Sequence, residues 1–165
     1  MEERIKRYFY DHPRAEPNLR TLAKELGISH MSAVRHAKTL AKKGYLNLQQ
    51  KKLETVVSLD KERTKDERRL HNIKKVLDSG LVEHLEETYE HPKAIVLFGS
   101  YSFGEDDGLG DIDIAVQTSL ERQPDRTRFE KKLERPLEIF ALNEKTSKEL
   151  RTSIHNGVVL RGRIR

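Results

Sequence analysis

The 165-residue chain contains no cysteine, which excludes disulfides, thiolate-held zinc and thiol catalysis together. It also lacks any apolar run near the roughly 20 residues that cross a bilayer. Met1-Glu2-Glu3-Arg4 has none of the apolar core of a signal peptide. A cytoplasmic protein with no membrane partner is therefore expected. Internal repeats, low-complexity tracts and long Gly/Ser linkers are missing too, so any two domains should be joined by something stiffer than a tether.

What is abundant is charge. Asp, Glu, Lys and Arg make up 36% of the residues, against about 25% in an average domain. Such a surplus suits a nucleic-acid binder or a protein from a hot environment. The net charge of +5 is confined to residues 1–60, where 12 Lys/Arg face 7 Asp/Glu; the remainder is balanced. An excess gathered in one third is the footprint of a module that meets a polyanion, or of a solvated basic face.

Within that basic third, Asn18 is placed to cap a helix from Leu19 to Leu26, buried through Leu22, Ala23 and Leu26. Gly27 can take the left-handed conformation that ends it. Ser29 is placed to cap a second helix from His30 to Lys43, with Met31, Val34, Ala37 and Leu40 expected inward. His30, Ser32, Arg35, His36 and Thr39 are then expected near its outer face. Beyond Gly44, alternation predicts strands over Tyr45–Gln50 and Leu53–Leu59 around a turn at Lys51-Lys52. The stretch LAKELGISHMSAVRHAKTLAKKGYL resembles winged helix-turn-helix transcription regulators, and the resemblance covers residues 1–60. It implies a second helix in the major groove of DNA, read by His30, Ser32, Arg35, His36 and Thr39, with Lys51 and Lys52 of the wing on the backbone.

Residues 61–80 read as a charged linker helix whose stripe of Leu70, Ile73 and Leu77 serves either a homodimer contact or an intrachain one. From residue 81 helix and strand alternate. Ala94–Phe98 is a continuously apolar run and reads as a buried strand. A loop with Gly104, Gly108 and Gly110 follows Gly99-Ser100, carrying Glu105-Asp106-Asp107, which reads most simply as solvated. Asp111-Ile112-Asp113-Ile114-Ala115-Val116 then alternates as a strand, placing Asp111 and Asp113 on one face. Neighbouring carboxylates repel unless a cation lies between them, and oxygen ligands suit magnesium. A Gly-Ser at a strand end lets backbone approach a phosphate.

LFGSYSFGEDDGLGDIDIAV resembles the signature of polymerase-beta-like nucleotidyltransferases, in particular the minimal group. The resemblance implies that Gly99 and Ser100 bind a nucleoside triphosphate (ATP first among them). It implies that Asp111 and Asp113 hold Mg2+ or Mn2+, and that Glu138, on a strand over Pro136–Leu142, is the third ligand and general base. The three carboxylates are thus the expected catalytic and metal set. Many relatives carry Ala-Arg-Gly where Ser102-Phe103-Gly104 stands here, so an arginine is replaced by an aromatic ring. The expected fold is α+β: a winged helix-turn-helix domain (1–60), a linker helix, and a small mixed-sheet nucleotidyltransferase-fold domain (81–165). The expected function is DNA binding joined to nucleoside monophosphate transfer onto a hydroxyl. The alternatives are a regulator that only senses nucleotide, or the antitoxin-type partner of a small helical toxin.

Overall fold

The computed structural model describes residues 1–164, which divide into two compact units, one over residues 1–66 and one beginning at Glu67. Among the described residues no helix is long and apolar enough to cross a membrane.

The first unit contains helices α1 (Glu2–Asp11), α2 (Leu19–Glu25) and α3 (His30–Lys42), then strands β1 (Leu46–Lys51) and β2 (Glu54–Leu59). Asn18 Oδ1 accepts the Thr21 amide at 2.8 Å and Ser29 Oγ accepts the Ser32 amide at 3.2 Å, caps that each contribute about 1 kcal/mol. Gly27, with φ +59°, makes the left-handed turn between α2 and α3. Ile5, Phe9, Leu22, Ala37, Leu40 and Val57 share the core. Met31 was expected inward but is 74% exposed, and Ala33 is buried in its place. The inner face runs 33–37–40, at i, i+4 and i+7; Met31, two residues from Ala33, points about 200° away from it. The hairpin pairs Leu46 with Leu59 and Leu48 with Val57, closing at Lys51 and Glu54. Its turn is Lys52-Leu53, one residue later than expected, so Leu53 is wholly exposed. Val56 is buried instead; the Pro17-Asn18 segment lies beside it, with Val57 N–H donating to Pro17 O at 2.9 Å.

In the second unit, a four-stranded sheet has the order β5-β4-β3-β6, built from β3 (Ala94–Phe98), β4 (Ile112–Gln117), β5 (Leu137–Leu142) and β6 (Val158–Gly162). β3 runs antiparallel to both neighbours, and β4 and β5 run parallel. Both faces of β3 are covered, which is why its sequence shows no alternation. Ile95 and Leu97 face Leu81, Leu85, Phe129 and Leu133, contributed by α5 (Leu81–Thr88) and α7 (Thr127–Leu133). Ala94, Val96 and Phe98 face Ile154 on α8 (Lys148–His155). A short helix α6 (Gly99–Phe103) caps the end of β3.

Helix α4 (Lys65–Ser79) precedes this domain. Its buried positions are Arg68, Asn72, Val76 and Ser79. The expected apolar stripe is not the packing face: Leu70 is 67% and Leu77 41% exposed, and Ile73 alone of the three packs against the core. Hydrophobic periodicity misplaced this face because three of its four buried residues are polar and meet polar partners.

Candidate nucleotide and metal site

The site grows from the end of β3. Phe98 pairs with Asp113 of β4, and Asp113 pairs in parallel register with Glu138 of β5. Neighbours across a ladder project to the same face, so Asp113 and Glu138 stand side by side. Ile112 and Ile114 turn to the opposite face and are fully buried, anchoring β4 against the core. Asp111 lies just before the strand and is exposed.

Burial of Asp113, then the carboxylates of Glu138 and Asp111, pushes its pKa up to about 6. Among the described residues no three carboxylates or imidazoles close into a ready-made metal cage. The chemistry of the set nonetheless fits a hard divalent cation: three oxygen donors whose mutual repulsion a cation would relieve.

Gly99 leaves β3 with φ +71°, and a Cβ there would fall on Asp113 Oδ2. Only glycine fits, for two independent reasons: the positive φ and the carboxylate beside it. The backbone of Gly99 therefore lies against the Asp113 carboxylate, and the exposed Ser100 follows at once. Ser102 Oγ donates to Gly99 O at 2.8 Å and holds this corner.

The loop between α6 and β4 contradicts its reading as solvated. Glu105 is exposed, but Asp106 is only 4% exposed and is the hub of a buried network. Arg68 donates to its Oδ2 at 3.0 Å and to its backbone carbonyl, and Asn72 Nδ2 donates to Oδ2 at 2.9 Å. On the other oxygen, Oδ1 accepts the Gly108 amide at 3.2 Å and Arg135 at 3.5 Å. Asp107 Oδ1 accepts the amides of Leu109 and Gly110. The loop that delivers Asp111 is thus bolted from both sides. Sequence offers one signal for this: Arg68 and Asn72 are four apart on a helix, a polar face beside the apolar one.

A cleft of about 830 Å³ lies at the opposite end of the sheet, lined by Lys93, Gln117, Leu142 and Arg151 among others. None of the motif residues lines it, and its walls mix Glu90, Glu121 and Glu144 with the cations. Charge there favours no phosphate.

In the first unit, His30 and Arg35 are exposed on α3, whereas Ser32, His36 and Thr39 are half-buried. Thr39 Oγ1 donates to Arg35 O at 3.0 Å, and His36 Nδ1 lies 4.0 Å from Glu2 Oε1. Lys51 sits 3.7 Å from Glu16, and Lys52 occupies the hairpin turn with φ +44°.

Residues 81–163 match the family model described as Polymerase beta, Nucleotidyltransferase. No curated protein and no solved structure matches the chain.

Proposed function

The chain belongs to the polymerase beta nucleotidyltransferase family, and on that premise we propose that it transfers a nucleoside monophosphate from a nucleoside triphosphate to a hydroxyl acceptor. The observation that carries this reading is the Gly99 corner set directly against Asp113, whose strand partner is Glu138. Gly99 and Ser100 take the triphosphate. Asp111, Asp113 and Glu138 hold magnesium, which when bound polarises the phosphates and offsets the charge of the leaving pyrophosphate. Glu138 is exposed beside Asp113, where a carboxylate can accept the proton of an incoming hydroxyl. The test is label transfer from α-labelled nucleoside triphosphates, with magnesium, into lysate. Wild type is run beside an Asp111→Ala/Asp113→Ala double variant. Label with the wild type alone is the expected result, and the labelled species gives the acceptor class. No label from either removes transfer and leaves a nucleotide-sensing regulator.

The unit over residues 1–66 we assign as a winged helix-turn-helix that binds DNA. Supporting this are the tight α2–α3 turn at Gly27, the hairpin that follows, and the +5 charge of residues 1–60. Arg35 is its leading contact because its guanidinium is exposed, whereas His36 leans on Glu2 and the Thr39 hydroxyl is spent on its own helix. Arg35→Ala is expected to weaken DNA binding by about 10-fold, a loss of about 1–3 kcal/mol for one base contact. If Arg35 meets phosphate instead, the log–log salt slope should fall by about 1. Fluorescence anisotropy at several salt concentrations reads both, and an unchanged isotherm would take α3 out of the interface.

A further inference from the structure

The nucleotide site has a charge problem. From Ala94 to Leu120 the chain contains no Lys or Arg, but it carries Glu105, Asp106, Asp107, Asp111 and Asp113. Glu138 adds another carboxylate beside Asp113. A nucleoside triphosphate is a polyanion, so a side-chain cation has to reach this segment from elsewhere in the chain. Two of the nearest, Arg68 and Arg135, are buried at 1% and 8% exposure and both hydrogen-bond Asp106. They are committed to the loop.

We infer that Arg69 of α4 is the cation that binds the phosphates beyond the first, an assignment that rests on the nucleotidyltransferase reading of the site. Its guanidinium carbon lies over the Phe103 ring, 5.8 Å from the centroid. Phe103 is three residues after Ser100 on α6, hence on the same face and one turn away. Its neighbours fix the backbone of Arg69: Arg68 is held by Asp106, and Asn72 donates to Tyr101 O at 2.9 Å on α6 itself. Arg69 is half-exposed, and among the described residues no carboxylate pairs with it. A guanidinium resting on a ring keeps its planar edge of N–H donors for an oxyanion. Charge-assisted, bidentate pairing with phosphate is the stronger of the two contacts, so the ring acts as a rest from which the side chain engages the ligand. Arg69 lies outside the residues matched by the family model, 81–163. It lies on α4, which precedes the matched stretch.

The experiment is equilibrium binding of each of the four ribonucleoside triphosphates, with magnesium, to the full chain. The monophosphate of the tightest binder is titrated alongside. Arg69→Ala is expected to weaken triphosphate binding about tenfold or more (1.4 kcal/mol per decade), with monophosphate affinity changed less than twofold. Arg69→Lys should recover part of the loss, since it restores charge without the fork. Circular dichroism and thermal unfolding of Arg69→Ala should match wild type. If Arg69→Ala binds triphosphate as wild type does, the assignment is overturned while the reading of the site stands. Equal losses for mono- and triphosphate would show a merely structural role and overturn it as well. A wild type that binds no triphosphate defeats both the reading and the assignment.

Discussion

Asp113→Asn is expected to abolish magnesium-dependent nucleotide binding and sharply reduce transfer while making the metal-free protein more stable at pH 8. The two effects share one cause. In the fold Asp113 is half-buried beside Glu138 and Asp111, and its pKa is pushed up to about 6 from an ordinary 3.8. Between these values the folded chain keeps a proton that the unfolded chain has released. Stability therefore falls as pH rises through that window, and the full penalty applies above it. Asparagine carries no charge and escapes the penalty. The gain should be visible at pH 8, shrink through pH 6 and vanish below pH 4. Bound magnesium favours the ionised carboxylate, so it should stabilise the wild type at pH 8 but not the variant. Transfer in the variant should drop by about 100-fold or more, the scale on which one group that stabilises transition-state charge is felt. Urea unfolding at pH 5 and pH 8, with and without magnesium, reads the first effect; label transfer reads the second. A variant that is less stable than wild type at pH 8 without metal would show that Asp113 is a structural acceptor, not a held charge.

That the carboxylate sits on a strand was legible from the sequence, because Ile112, Ile114 and Val116 are buried at every second residue of β4. β3 was legible for the opposite reason: an apolar run of its length fits only a strand covered on both faces. The adjacency of Asp113 and Glu138 left no such trace. They belong to parallel strands separated by residues 118–136, and register between such strands is set by packing over the whole domain. Only the family resemblance pointed to Glu138. The capped turn from Asn18 to Ser29 was legible because caps are local chemistry. Face assignment failed where local chemistry is silent. Met31 and Leu70 are apolar yet exposed, while Ala33, Arg68 and Asn72 are buried. A small residue or a partnered polar one carries little hydrophobic signal, so periodicity misplaced Met31 on α3, where Val34, Ala37 and Leu40 do face the core, and chose the wrong stripe on α4.

Asp106 is the extreme of that failure, and its removal should give the largest loss of stability. Glu105-Asp106-Asp107 has the look of a solvated acidic loop, yet Asp106 is the shared acceptor of two buried guanidiniums. Truncating one partner of a buried ion pair costs about 3–5 kcal/mol, because the charge left behind has been taken out of water. Asp106→Ala is expected to cost that much in urea unfolding. Asp106→Asn should rescue little, for a geometric reason. Oδ2 accepts from Arg68 and Asn72 and Oδ1 from Gly108 N–H and Arg135, so an amide group must turn its NH2 toward donors whichever way it flips. Replacing the pair together, Arg68→Met with Asp106→Leu, should lose less than Asp106→Ala alone, since only one of the two guanidiniums, that of Arg135, then loses its carboxylate acceptor. The functional consequence follows from position. Asp106 ties α4 to the loop that leads into Asp111, so Asp106→Ala should weaken triphosphate binding in the fraction that remains folded, whereas the double replacement should recover stability before it recovers affinity. If Asp106→Ala costs less than about 1 kcal/mol, water reaches both guanidiniums, and the loop is held by its turn hydrogen bonds at Asp107 rather than by charge.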